Sequence, residues 1–261
     1  MVNKILSIIA WAVTAGALIA LFVFAREDYL TSPVKDVQLH IECSGDSGFI
    51  KEHFLKADIE RFRNTNIGTF KIYDLQQSLN ANPWIESNTS YIDLDGTLHV
   101  SIKEYAPVLR IFGNDGKSVY LTEAGQVLPT NRLYTPYVLI ASGNFDIQND
   151  STSYPLNDSI ESHQALSEAL HLWKAIEGNP FMKSCIGQVY RNRKGEFDIT
   201  VKDVKAQVIL GDTIQIADKL RRAEIFFKQK AGTADIATMK NINFKYKNQV
   251  VCTKNQSNER R

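Results

Sequence analysis

The sequence predicts an α+β protein carried on one N-terminal transmembrane helix, with a β-α-α-β-β domain followed by a mixed α/β domain whose sheet is mostly antiparallel. Three observations predict it. An uncharged run near the N-terminus is long enough to cross a bilayer. Period-2 and helical hydrophobic spacings then follow one another in the order β-α-α-β-β over residues 34–104. Beyond Tyr105, short strands bounded by turn residues are interleaved with two amphipathic helices.

Between Lys4 and Arg26, residues 5–25 carry no charge, and as a helix rising about 1.5 Å per residue they cover the roughly 30 Å of a hydrocarbon core. A cleaved leader is the alternative, with Val23 and Ala25 at small-residue positions, but the run exceeds the roughly 7 to 15 apolar residues of a leader. No second run of this kind follows, so the rest of the chain lies on one side. A short tail, residues 1–4, is expected in the cytoplasm, with a polar neck over 26–33.

Val37, Leu39 and Ile41 alternate with polar residues as in a strand with one buried face. A turn over Gly45 to Gly48 leads to a helix carrying Leu55, Ile59 and Phe62. A second helix is expected from Asp74 as N-cap, with Leu75 and Leu79 inward, stopping at Asn82 before Pro83. Trp84 is expected in the core. Ser87 to Leu94 and Thr97 to Lys103 then form a hairpin about Asp95-Gly96; a two-residue loop there sets Tyr91 opposite Val100 and Thr89 opposite Ile102.

In residues 105–254, strands are expected at Ser118 to Leu121, Gln126 to Leu128 and Tyr137 to Ala141. A polar loop, Asn144 to Asn157, precedes a helix with Asp158 and Glu161 as a capping pair and Leu166, Leu170, Trp173 and Ile176 inward, ending at Gly178-Asn179-Pro180. Strands at Ile186 to Tyr190, Phe197 to Val201 and Gln207 to Leu210 lead to a helix opened by Gly211-Asp212, with Ile216, Leu220, Ala223 and Phe227 inward, and closed by Gly232. Ile242, Phe244 and Tyr246, a Lys247-Asn248 turn, and Gln249 to Thr253 read as a last hairpin before a polar tail, residues 255–261.

The chemistry of catalysis is sparse. A formal net charge of +1 with 23% charged residues gives nucleic-acid binding no electrostatic support. Cys43, Cys185 and Cys252 form neither a disulfide framework nor a metal-site spacing. His163 and His171, eight apart on a helix, read as solvent-facing. Ser32-Pro33-Val34-Lys35 matches the S-x-x-K arrangement by composition but sits in the neck. Asp93 and Asp95 fall at a turn that such residues support. No cofactor, metal site or catalytic residue is expected.

Pro83-Trp84-Ile85, the run Gly96-Thr97-Leu98-His99-Val100-Ser101-Ile102-Lys103-Glu104-Tyr105-Ala106-Pro107, Ser118 to Leu128, Ile209-Leu210-Gly211 and Ile242 to Tyr246, in this order behind a short anchor, resemble the bacterial cell-division family FtsQ/DivIB. Asn88 and Ser90 stand where that family carries apolar residues, and Asp93-Leu94-Asp95 replaces its basic turn. The resemblance implies a POTRA domain over 34–104 and an FtsQ-like β domain over 105–254. It also implies a single-pass inner-membrane protein at the division septum that binds FtsB/FtsL-like coiled-coil membrane proteins without catalysis. Its partner site would be the last strand and preceding turn: Tyr246, Asn248, Gln249, Val250, Val251, Cys252 and Thr253. A POTRA-bearing secretion or envelope-assembly component, or an exported envelope enzyme, are the rival readings.

Overall fold

The computed structural model describes residues 2–43, 48–50, 55–56, 59–230 and 234–254. Helix α1, Val2–Thr31, contains one stretch long and apolar enough to cross a membrane, none of it buried by the protein. Its one polar residue at mid-length, Thr14, donates its hydroxyl to the carbonyls of Ala10 and Trp11, so the hydroxyl is satisfied within the helix itself. The expected neck is helical up to Thr31: nothing between Arg26 and Thr31 breaks a helix, and the first obstacle is Pro33.

The chain divides into two compact units, Met1–Glu104 and Tyr105–Arg261. In the first, β1 (Asp36–Glu42) runs parallel to β3 (Thr97–Glu104), which pairs antiparallel with β2 (Ile85–Ile92), giving the order β1-β3-β2. Helix α2, Ile72–Asn80, lays Leu75 and Leu79 on this sheet. Leu98, Val100 and Ile102 of β3 are the buried row beneath them. Leu55, Ile59 and Phe62 all pack into this core. The turn expected over Gly45 to Gly48 falls largely outside the described residues.

Three local expectations need correction. Helix α2 starts before Asp74: Lys71 is the N-cap, without a side-chain bond, and Asp74 lies in the first turn. Trp84 is half-buried and stacks parallel to Phe49 at 6.2 Å, while the core position goes to Ile85. The hairpin register is one residue off, with Ser90 opposite Val100 and Tyr91 opposite His99. The loop holds three residues, Leu94 to Gly96, because the Asp93 N–H donates to the Thr97 carbonyl and Gly96 takes φ +85°, the turn-plus-bulge hairpin. A one-residue slip exchanges faces: Ser90 is buried, whereas Tyr91 is exposed and stacks on His99 at 4.8 Å.

In the second unit, ten strands form one mostly antiparallel sheet: β4 (Pro107–Phe112), β5 (Ser118–Thr122), β6 (Gln126–Pro129), β7 (Leu139–Gly143), β8 (Tyr154–Pro155), β9 (Ile186–Arg191), β10 (Phe197–Val201), β11 (Gln207–Gly211), β12 (Met239–Asn243) and β13 (Val251–Lys254). Their spatial order is β13-β12-β11-β10-β9-β7-β4-β5-β6-β8. Strand β4 carried no expectation, β7 sits two residues later than expected, and β8 interrupts the loop expected over 144–157. Helix α3 (Glu161–Glu177) and α5 (Ile216–Lys230) pack against each other and bury the expected faces.

The ends of these helices differ from expectation. Ile160, not Asp158, precedes α3 and caps it with no side-chain bond; the Asp158 carboxylate instead accepts from the Ser167 hydroxyl at 2.7 Å. Gly178-Asn179-Pro180 ends α3 but also starts α4 (Pro180–Cys185), because the Asn179 side chain accepts from the Met182 N–H and proline suits the first helical turn. Helix α5 begins at Ile216, five residues past Gly211. A short α6, Ala234–Thr238, follows it, and Gly232 lies outside the described residues.

Candidate functional site

Strand β13 closes one end of the sheet: one edge pairs with β12, and among the described residues no strand pairs with the other. All four of its residues are exposed. The opposite end of the sheet is protected differently, since β8 is two residues long and contains Pro155.

The path into β13 is set by three anchors. Phe244 is fully buried, its ring edge-on to Phe226 at 5.8 Å, and its N–H donates to the Ile209 carbonyl at 2.8 Å. Lys245 pairs with Glu196, which holds the Glu196 carboxyl below and the Lys245 amine above their ordinary values. Arg222, only 13% exposed, reaches from α5 into the turn: its Nη1 donates to the carbonyls of Tyr246 (2.7 Å) and Gln249 (3.0 Å), its Nη2 to that of Phe244 (3.0 Å), and its Nε pairs with Asp218 (3.0 Å). The planar guanidinium fork is suited to gathering several oxygens at once.

This arrangement explains where the expected site residues fall. Tyr246 is exposed at a bend, and Asn248, with φ +59°, makes the turn. Gln249 is not in the strand: its carbonyl goes to Arg222. Val250 is partly buried against the core. Only Val251, Cys252 and Thr253 lie in β13, joined by Lys254, so the strand runs from 251 to 254 rather than from 249 to 253. Sequence spacing does not single out Arg222, because a helical arginine four residues from Asp218 already looks accounted for.

Cross-strand partners share a face, so register assigns the two sides of the sheet. Val189, Ile199, Val208 and Ile242 form a buried row toward the helices, and Cys252, opposite Ile242, continues it. Although the residue is exposed overall, partial desolvation of the Cys252 thiol on this face raises its pKa. Tyr190, Asp198, Ile209, Asn243 and Val251 form the row on the other side, where Tyr190 is 48% exposed. From Met239 to Lys254 the chain carries four lysines and no carboxylate.

The residues weighed for catalysis are occupied otherwise. The Ser32 hydroxyl donates to the Asp28 carbonyl at 2.8 Å, at the end of α1. One oxygen of Asp93 accepts from the N–H groups of Asp95 and Thr97, the other faces His99 Nε2 at 2.9 Å, and that hydrogen bond leads in lowering the carboxyl's pKa. His163 is buried, contrary to expectation: its Nδ1 accepts the Asn157 N–H at 3.1 Å and its ring lies against Tyr154. Among the described residues no three His, Cys, Asp or Glu side chains group as metal ligands would, and no disulfide joins Cys43, Cys185 and Cys252.

A helix long and apolar enough to cross a membrane, followed by a three-stranded unit and a large sheet whose β13 edge is open among the described residues, defines an α+β protein with a candidate N-terminal anchor. Residues 106–253 match the model of the FtsQ/DivIB C-terminal related domain. That match covers more than half of the chain, and the chain belongs to the FtsQ/DivIB family of cell-division proteins, which is generally non-catalytic. A comparison with curated proteins finds no match.

Proposed function

We propose that this protein is a non-catalytic scaffold of the bacterial division machinery. Its N-terminus lies in the cytoplasm, and both folded units, the first of them a POTRA domain, lie outside the inner membrane. It captures a short coiled-coil membrane protein of the FtsB/FtsL kind by strand addition to β13, and so helps recruit or regulate septal peptidoglycan synthesis. The observation that carries this reading is the open edge of β13. An edge strand offers a row of main-chain donors and acceptors to a partner strand, while alternate side chains supply specificity. Here Val251 and Thr253 would be read on one face and Cys252 on the other, and the lysines of 239–254 favour a partner strand flanked by carboxylates.

Proline substitution tests it. The N–H groups of successive strand residues point to opposite edges, so among Val251→Pro, Cys252→Pro and Thr253→Pro some remove a donor facing the partner and some remove one facing β12. Co-purification of the partner should be lost in at least one variant whose thermal unfolding matches the parent. Full partner capture by all three would rule out strand addition. At the level of the cell, depletion should give undivided filaments, and normal division after complete depletion would remove the scaffold role.

A further inference from the structure

The last turn of α1 is held from two sides by the first unit. The Gly68 N–H donates to the Leu30 carbonyl at 2.8 Å, the Ile67 N–H to the Ser32 carbonyl at 2.9 Å, and the Tyr29 hydroxyl to the Asp93 carbonyl at 3.0 Å. A Cβ on Gly68 would stand 2.9 Å from the Leu30 oxygen, so the loop can approach the helix this closely only as glycine. On the following residues, the Lys35 N–H donates to the Gly96 carbonyl at 2.9 Å. The hairpin turn Asp93 to Gly96 is thereby fixed beside the end of α1.

Helix geometry gives that turn a depth. Tyr29 is four residues past Ala25, the last residue of the uncharged run, and so stands about 6 Å farther along the axis. The headgroup layer on each side of a bilayer is roughly 5 to 8 Å thick, the difference between a ~30 Å core and ~40–45 Å overall. With α1 inserted, Tyr29 falls among headgroups, where tyrosine is favoured, and it carries the turn with it. At the tip of the turn Leu94 is 89% exposed, more than any large apolar side chain of the span itself. Turn chemistry does not call for leucine there. The Asp93 carboxylate points back into its own turn and toward His99, and the Lys35 stem runs beside Gly96.

We propose that the Asp93–Gly96 turn is a second membrane contact, with Leu94 seated in the phospholipid headgroup layer of the bilayer that α1 spans. The first unit then rests on the membrane at two points and cannot swivel about a single tether. This inference rests on α1 being inserted.

The test uses the full chain with Cys43, Cys185 and Cys252 replaced by serine, in phospholipid nanodiscs. Nitroxide labels are placed singly at Leu94→Cys, at exposed Ser87→Cys about 23 Å back along β2, and at Ala15→Cys within the span. Accessibility to oxygen and to a polar nickel chelate is read by power saturation. The Leu94 label should favour oxygen and be reached several-fold less by nickel than the Ser87 label, with the Ala15 label deep in lipid. Equal nickel access at Leu94 and Ser87, with Ala15 in lipid, overturns the second contact alone. A tip shielded from both probes, as by a protein, overturns it too. A water-exposed Ala15 label overturns the anchor and the inference together.

Discussion

Truncating Arg222 should release the edge strand while leaving the domain folded. The side chain donates to three carbonyls of the segment 244–249 and pairs with Asp218. The bond to the Phe244 carbonyl is part-buried and is assigned about 1.5 kcal/mol as a charge-assisted bond. The two bonds to exposed carbonyls and the pair with half-exposed Asp218 are assigned about 0.5 kcal/mol each, since water replaces them and Arg221 still pairs with Asp218. About 3 kcal/mol of local stability is at stake, a change of roughly a hundredfold in the opening equilibrium of the turn. Hydrogen exchange followed by peptide analysis should show Arg222→Ala losing protection over residues 246–254 by about that factor, with protection in β9 and β10 nearly unchanged. Arg222→Lys should lie between, since an ammonium cannot match the fork. Parent-like protection of 251–254 in Arg222→Ala would show that the strand holds its place without this arginine.

Gly143 has φ +114°, and a Cβ there would stand 2.2 Å from the Arg191 backbone oxygen; Gly143→Ala should destabilise the second unit by about 2–4 kcal/mol in urea unfolding, and a smaller loss than 1 kcal/mol, about the cost of glycine's entropy alone, would refute the clash. Ser90 is buried with no hydrogen-bond partner for its hydroxyl among the described residues, so Ser90→Ala should raise stability by about 1 kcal/mol, whereas a loss would reveal a partner. Burial raises the Asp198 carboxyl pKa against the opposing bond from Gln207. The folded chain therefore keeps a proton that the unfolded chain releases near pH ~3.9, and stability falls as pH climbs from there through the raised value. Asp198→Asn should be the more stable chain at about pH 8, with the gain vanishing near about pH 3.5; an equal gain at both would exclude the carboxyl's charge as the cause.

Periodicity made the strands and helix faces legible. Phe197 to Val201 and the buried faces of α3 and α5 follow from spacing because burial on one face dictates it. What spacing could not carry was local hydrogen bonding. The Asp95-Gly96 turn looks like a two-residue loop, yet the Asp93 carboxylate caps two N–H groups and makes it three, shifting every pair in the hairpin. Helix starts at Ile72 and Glu161 use extended residues without side-chain caps, which no capping rule finds. At the candidate site, the general position of the last strand was visible in Val250 to Thr253, but its start was not. Asn248 in a left-handed conformation and the Arg222 bond to the Gln249 carbonyl delay the strand to Val251. Arg222 and Gln249 come together only in three dimensions, 27 positions apart in sequence.

If β13 docks a partner strand, its exposed side chains lie within reach of that partner. A photo-crosslinking residue at Val251 in dividing cells, on the face shared with Asn243 and Ile209, tests this docking most directly. One dominant adduct is expected, with a short single-span coiled-coil division protein, lost when the strand is broken by Cys252→Pro or Thr253→Pro. Crosslinking from exposed Tyr137 with the same partner, and none from Val251, would contradict it.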